Sequence, residues 1–260
     1  MSKKWGQHFL IEPRYIDQML DTAQVCETDC ILEIGPGKGI LTKAMLQKKS
    51  RVTAVEIDPK LYQDLSQQLS QQKKFTPVHH DILQYDSQEL LSFYSGPFKI
   101  VANLPYNIAT LLFFKLMELR EHLISVTVMV QQEVAERICA TIENRKAYGV
   151  LSIAAEIGFE RKLAFSIPPS AFSPQPKVNS AVVHLVPKAR VISTEKEISF
   201  LRWVQGLFNQ RRKTLLNNLQ RCTPLKFQAH QTYLIKRYDK QRAETLTLLE
   251  FIELFDLMEK

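Results

Sequence analysis

The chain has 260 residues, 45% of them apolar, and a formal charge of +7. Its length and apolar content suit one large domain, or a large one with a small companion, around a real core. No run approaches the roughly 18 apolar residues of a membrane span, and the basic start "MSKKWGQHFL" leads into no signal-like apolar run. Of the four cysteines only Cys26 and Cys30 are close, and nothing nearby completes a metal set or a disulfide framework. The expectation is a cytoplasmic protein with free thiols and no metal.

In chain order, apolar runs of strand length alternate with segments of helical period. "RYIDQMLDTAQV" reads as a helix, "CILEIG" as a buried strand, "ILTKAMLQKK" as a helix and "RVTAVEID" as a strand. "PKLYQDLSQQLSQQ" opens on Pro59, a favoured first helical position. "FTPVHHDIL" is a short strand with its exit, "FKIVANL" a strand, "ATLLFFKLMELR" a helix, "LISVTVMVQQ" a strand and "EVAERICATI" a helix. This alternation predicts an α/β fold, a mostly parallel sheet with helices on both faces. The rhythm then changes. "VLSIAAEIGF" and "SAVVHLVP" are expected to pair as closing strands around the Pro-rich loop "SIPPSAFSPQPKVN". Beyond Pro187 the segments "EKEISFLRWVQGLFN", "QRRKTLLNNLQ", "FQAHQTYLIKRY" and "ETLTLLEFIELFDLM" all read as helices. The expected boundary divides a domain over 1–187 from a small all-helical one over 188–260.

Charge follows that division. Residues 1–187 hold 20 basic and 19 acidic side chains, whereas 188–260 hold 14 and 8. A basic excess with a pI near 9.2 favours an anionic partner, nucleic acid first. Arg211, Arg212 and Lys213 form a run, with Lys226, Lys236, Arg237, Lys240 and Arg242 further on.

"LEIGPGKGILT" follows a strand and opens a helix. Gly35, Gly37 and Gly39 let the backbone turn sharply beside a ligand, and the helix start behind them offers free N–H groups. The spacing is neither a dinucleotide fingerprint nor a P-loop. A crowded Gly-x-Gly-x-Gly with Glu33 two residues upstream suits a nucleoside-type methyl-donor site. Glu56 ends the next strand, where a carboxylate can accept from both hydroxyls of a ribose. Asp81 ends the third, placed to accept from an adenine amino group. His79 and His80 lack a third ligand and read as strand residues.

In "VANLPYNIAT" an apolar strand runs straight into Asn103, Leu104, Pro105 and Tyr106, without the Gly, Asp or Ser of an ordinary turn. The exocyclic amine of adenine is a poor nucleophile. Two acceptors aimed at its N–H groups, the Asn103 side-chain oxygen and the Leu104 carbonyl, would draw it toward a tetrahedral shape and stabilise the charge that develops. Pro105 restricts the local backbone. Tyr106 offers a flat face to an extruded base, so that Phe there is expected to serve nearly as well.

These motifs resemble the KsgA-type family of small-subunit ribosomal RNA adenine dimethyltransferases. "GQHFL", "ILEIGPGKGILT", "AVEID", "HDIL", "VANLPYNIAT", "FSPQPKVNSAVVHL" and "LFNQRRKTLLNNL" follow in the family order over almost the whole chain. The resemblance implies a class I (Rossmann-like) methyltransferase fold and S-adenosylmethionine as donor. It implies that His8, Leu10, Gly35, Gly37, Glu56, Asp81 and Asn103 hold the donor, and that Asn103, Leu104, Pro105, Tyr106 and Phe172 hold the adenine. The first motif often has Asn where this chain has His8, and Gln7 is placed to share that role. The implied partner is small-subunit ribosomal RNA, naked or in a partly assembled subunit, and a monomer is expected. Three alternatives stand beside it. The related macrolide-resistance methylase of large-subunit RNA shares most motifs, although "FNQRRKTL" favours the small-subunit type. A DNA adenine methylase would usually carry Pro at the position of Leu104. A non-catalytic assembly factor of the same fold would not need Glu56, Asp81, Asn103 and Tyr106 intact.

Overall fold

The computed structural model describes residues 8–106 and 108–259. Its strands are β1 (Phe9–Leu10), β2 (Cys30–Ile34), β3 (Arg51–Glu56), β4 (Phe75–His79), β5 (Phe98–Asn103), β6 (Leu123–Gln131), β7 (Phe159–Ile167), β8 (Phe172–Ser173) and β9 (Ser180–Pro187). The helices are α1 (Pro13–Thr22), α2 (Ile40–Gln47), α3 (Pro59–Gln68), α4 (Ser87–Leu91), α5 (Ala109–Leu119), α6 (Gln132–Cys139), α7 (Val150–Gly158), α8 (Thr194–Phe208), α9 (Leu215–Cys222), α10 (Pro224–Tyr238) and α11 (Leu248–Glu259). Two compact units result: Met1–Glu136 with Phe159–Pro187, and Arg137–Gly158 with Lys188–Lys260.

The first unit is built on a seven-stranded sheet of order β4-β3-β2-β5-β6-β9-β7. β4, β3, β2, β5 and β6 run parallel, and β9 is antiparallel to both β6 and β7. Central parallel strands are covered on both faces and so read as near-continuous apolar runs. Ile31, Leu32, Ile100, Val101 and Val126 accordingly have no exposed surface. On one face Ile16, Met19 and Leu20 of α1, with Leu41 and Met45 of α2, pack against Ile31, Val52, Val101, Met129 and Val182. The alternate residues face the other way, as a strand's period of two requires. Phe113 of α5 meets Phe159 of β7 edge to face at 6.0 Å. α3 starts where Asp58 accepts the N–H groups of Lys60 and Leu61 and Pro59 supplies the first helical residue. Chain order reverses between β2 and β5, so the loops leaving their C-terminal ends diverge and open a crevice.

The second unit is helical. Tyr148, Ile153 and Ile157 join Phe200, Val204, Leu207, Leu219, Leu234, Phe251 and Leu254 in one core. At Gly206 of α8 an added Cβ would lie 2.9 Å from the Cys222 sulfur. Ser193 and Thr214 cap α8 and α9 by accepting the N–H groups of Lys196 and Asn217.

Three expectations need correction. "VLSIAAEIGF" is the helix α7 up to Gly158 rather than a strand, and the partner of β9 is the following run "FERKLAFSI". A short, wholly buried apolar run carries no periodicity that separates helix from strand. Residues 137–158 group with 188–260, so a single unit over 1–187 does not describe the chain: the apolar side chains of 148–157 are core of the helical unit. The run 211–213 lies in a turn before α9 and is not helical. There the Arg211 guanidinium donates to the Arg145 and Tyr148 carbonyls at 2.8 and 3.0 Å.

With the insertion counted, the helical unit carries 17 basic and 10 acidic residues and the sheet unit 17 of each. The net charge of the chain therefore resides in the helical unit. Among the described residues no helix is long and apolar enough to cross a membrane, and no group of His, Cys, Asp or Glu could hold a metal ion.

Candidate active site

A cavity of about 300 Å³ opens at the C-terminal ends of β2, β3 and β5, within the range of small-molecule sites. His8, Leu10, Gly35, Gly37, Glu56, Asp81, Asn103, Leu104, Pro105 and Tyr106 all line it. Ten of the eleven residues singled out in the sequence are thus brought together from five separate segments. Phe172 is not: it is 1% exposed, pairs with Leu10 in the small β1–β8 sheet, and belongs to the hydrophobic core. Gly6, Gln7 and Asn107 of the quoted motifs lie outside the described residues.

The glycine loop owes its shape to left-handed backbone at Gly37 and Gly39, with φ of +58° and +73°. A Cβ on Gly37 would come within 2.9 Å of the Phe9 ring, and the Lys38 ammonium sits 4.8 Å from that ring's centroid. Residues 8–11 therefore form a strap across the loop. Leu10 and Phe9 pair with Phe172 and Ser173, the Ile11 N–H donates to the Ala171 carbonyl at 2.9 Å, and His8 Nδ1 donates to the Pro174 carbonyl at 2.8 Å.

Glu56 is 4% exposed. One of its oxygens accepts the Gly37 N–H at 3.0 Å and the other the Asp58 N–H at 2.9 Å. Desolvation pushes its carboxyl above the usual range, and these backbone N–H groups oppose the shift. A carboxylate has about four lone-pair positions, so two remain for ligand hydroxyls. Asp81 spends one oxygen on the Leu83 N–H at 3.0 Å. Glu33 is more deeply buried: it accepts the Thr42 hydroxyl at 2.5 Å, and burial raises its carboxyl to about 8 despite that bond.

At the end of β5 the Asn103 amide nitrogen donates to the His8 carbonyl at 3.3 Å, which leaves Oδ1 as an acceptor. The Leu104 N–H is tied to the Met129 carbonyl of β6 at 3.0 Å. Pro105 packs 3.6 Å from where a Gly35 Cβ would stand, so the two loops are in register. The Tyr106 ring lies 5.6 Å from that of His8 at an interplanar angle of 26°, and its hydroxyl is 2.5 Å from Ser180 Oγ. The His8 ring therefore lies beside Tyr106, and it is the His8 backbone carbonyl that accepts from Asn103. Sequence reading missed Phe9 as the cover of the loop, although it stands between two residues that were singled out. It also missed Ser180, whose partner lies 74 positions away with no local signal.

The chemistry of this arrangement is that of a slot. Acceptors for hydroxyl and amino groups lie on one side, and an amide oxygen, a proline corner and an aromatic face on the other. The sequence model of ribosomal RNA adenine dimethylases matches residues 1–260. Ribosomal RNA small subunit methyltransferase A of Clostridium perfringens is 38% identical over 261 residues, covering 100% of this chain and 91% of that protein. The protein of the same name from Magnetococcus marinus is 39% identical over 254 residues, covering 97% and 90%. Among solved structures, a dimethyladenosine transferase from Plasmodium falciparum superposes with a TM-score of 0.75 at 22% identity, covering 97% and 98%. The 23S rRNA methyltransferase ErmE gives 0.69 at 23%, covering 97% and 100%. At such identities these two speak for the fold alone. Glycine loop, acidic strand ends and Asn-Leu-Pro-Tyr corner thus occur in a chain that belongs, over its full length, to the ribosomal RNA adenine dimethylase family.

Proposed function

We propose that the chain transfers methyl groups from S-adenosylmethionine to N6 of two adjacent adenosines near the 3′ end of small-subunit ribosomal RNA, giving N6,N6-dimethyladenosine, and so takes part in small-subunit biogenesis. The observation that carries this reading is the meeting, in one cavity, of the glycine loop, Glu56 and the Asn103–Tyr106 corner. The small-subunit enzymes at 38–39% identity favour that target over the large subunit.

The residues present fit the methyl donor. Gly37 leaves no room for a Cβ under Phe9, Glu56 keeps two acceptor positions for ribose hydroxyls, and Asp81 keeps one oxygen for an amino group. His8, Leu10 and Gly35 complete that side of the cavity. When bound, S-adenosylmethionine supplies an electrophilic methyl on a sulfonium. On the acceptor side, Asn103 Oδ1 and the Leu104 carbonyl accept from the two N–H groups of the adenine amine, which localises its lone pair and stabilises the positive charge as it develops. Tyr106 presents its face to the extruded base, and Pro105 holds the corner. The methylated ammonium is acidic and loses its proton to water, so no strong base is required and catalysis is mainly positioning.

The helical unit, with 17 basic against 10 acidic residues, suits the phosphate backbone. Arg212 and Lys213 are exposed for that contact. RNA shape then supplies selection. The reading places the protein in the cytoplasm, acting as a monomer on naked RNA or a partly assembled subunit.

The test is methyl transfer to unmethylated small subunits, with mass spectrometry of the digested nucleosides. Dimethyladenosine in small-subunit RNA, none with large subunits, and a rate that falls steeply with salt are expected. Transfer to large subunits only, or none at all, overturns the reading. Asn103→Ala is expected to lower turnover on the order of 100-fold, as removal of one transition-state contact does, with little change in RNA affinity. Equal losses in both would make Asn103 structural.

A further inference from the structure

Tyr106 stands on a corner, and a ring held only through its Cβ is free to tilt. Two contacts remove that freedom. Its hydroxyl lies 2.5 Å from Ser180 Oγ, and no other hydrogen bond of either side chain occurs among the described residues. Its ring lies against His8, whose Nδ1 donates to the Pro174 carbonyl. One support is thus Ser180 itself, and the other, His8, is in turn anchored to Pro174, six residues before it. Ser180 is itself immobilised: it is fully buried at the start of β9, paired with Gln131 on one side and Ile167 on the other. A hydroxyl fixed inside a seven-stranded sheet is a stiff anchor.

We infer that Ser180 is a positioning residue for methyl transfer, holding the Tyr106 ring in the plane that receives the target adenine. The inference rests on the proposed function, in which Tyr106 stacks on the base. Where catalysis is positioning, a displacement of about 1 Å costs on the order of 100-fold in rate. A ring that has lost one of two supports sits between the fixed and the free case, so a loss of about tenfold is expected. The hydroxyl of Tyr106 thereby acquires a use that its flat face alone would not need. Tyr106→Phe keeps the face and loses the anchor, so it is not the mild change that stacking alone predicts.

The experiment is a cycle of four proteins: wild type, Ser180→Ala, Tyr106→Phe and the double variant, with Tyr106→Ala as reference. Each is measured by single-turnover transfer to unmethylated small subunits and by calorimetric affinity for S-adenosylhomocysteine. Each is also measured by fluorescence of small-subunit RNA carrying 2-aminopurine at the target position, which is quenched on stacking. Ser180→Ala and Tyr106→Phe should each slow transfer about tenfold and weaken the quenching, with donor affinity unchanged. The double variant should be no slower than Tyr106→Phe. A second tenfold loss in the double variant, or a wild-type rate for Ser180→Ala, overturns the inference. If Ser180→Ala does not fold, Ser180→Cys, which nearly keeps the volume but weakens the bond, replaces it with the same expected ordering. A wild-type rate and quenching for Tyr106→Ala would instead refute the base platform itself.

Discussion

Gly37→Ala tests most directly the proposal that the glycine loop holds the methyl donor. The residue has φ of +58°, and the new Cβ would lie 2.9 and 3.2 Å from two carbons of the Phe9 ring. Left-handed backbone costs an alanine about 1–2 kcal/mol, against which a stiffer unfolded chain returns about 0.4–1 kcal/mol. Phe9 must also retreat, which loosens its contact with the Lys38 ammonium at 4.8 Å, worth about 0.5–1 kcal/mol at an exposed site. The net expectation is a loss of about 1–2 kcal/mol in stability. Donor affinity should fall further than that loss suggests, by tenfold or more, about 1.4 kcal/mol, because the strap is displaced and the Gly37 N–H that steadies Glu56 moves with the loop. Denaturant unfolding and calorimetric titration with S-adenosylhomocysteine measure the two effects. Gly96→Ala is the control, since nothing lies within 4 Å of its added Cβ. A Gly37→Ala protein of reduced stability but wild-type affinity would refute the reasoning, because the ligand would then not lie under the strap.

Two further perturbations test the buried titratable groups. Glu33 has its carboxyl raised from 4.5 to about 8 by burial, so between those values the native state keeps a proton that the unfolded chain releases. Stability must then fall as pH rises from about 5 to 8. Glu33→Gln should remove that slope, its advantage over wild type growing from pH 5 to pH 9 in urea unfolding; parallel curves would contradict the shift. Lys99, at the start of β5 and away from the cavity, donates to Asp29 at 2.8 Å and to the Gln24 carbonyl at 2.7 Å, with both side chains nearly buried. Lys99→Met leaves the Asp29 carboxylate without its counter-charge, holding only the Cys26 N–H at 2.8 Å, and should cost about 3–5 kcal/mol. Adding Asp29→Asn should restore much of it with donor affinity unchanged throughout, and equal stability of the single and double variants would argue against a stranded charge.

What was legible in the sequence follows from where the chemistry is local. The central parallel strands are apolar runs because both faces are covered, and two of them end at a polar residue that lines the crevice, β3 at Glu56 and β5 at Asn103. The glycine loop and the Asn-Leu-Pro-Tyr corner carry their geometry within a few residues. The failures arise where long-range packing decides. Residues 150–158 form a buried helix that composition cannot separate from a strand, and β7 is half exposed, so charged Glu160, Arg161 and Lys162 mask its register. The pairing of Phe172 with Leu10, 162 positions away, likewise has no local signal. In the basic run, Arg211 is occupied with carbonyls of its own unit.

The position of β9 has a consequence for the order in which the protein can be made. This strand is the last of the sheet in sequence but lies between β6 and β7. During synthesis the outer edge of β6, a nine-residue strand of mostly apolar character, stays bare until Ser180–Pro187 has left the ribosome. An open apolar edge is a template for pairing with other chains. The excursion through 137–158 lengthens that exposure. The cavity is likewise a late product of translation. Its floor of β2, β3 and β5 is complete once Tyr106 is made, but β1 has no partner until Phe172–Ser173 appears. A nascent chain therefore acquires the strap across the glycine loop only after nearly all of the sheet unit has been synthesised.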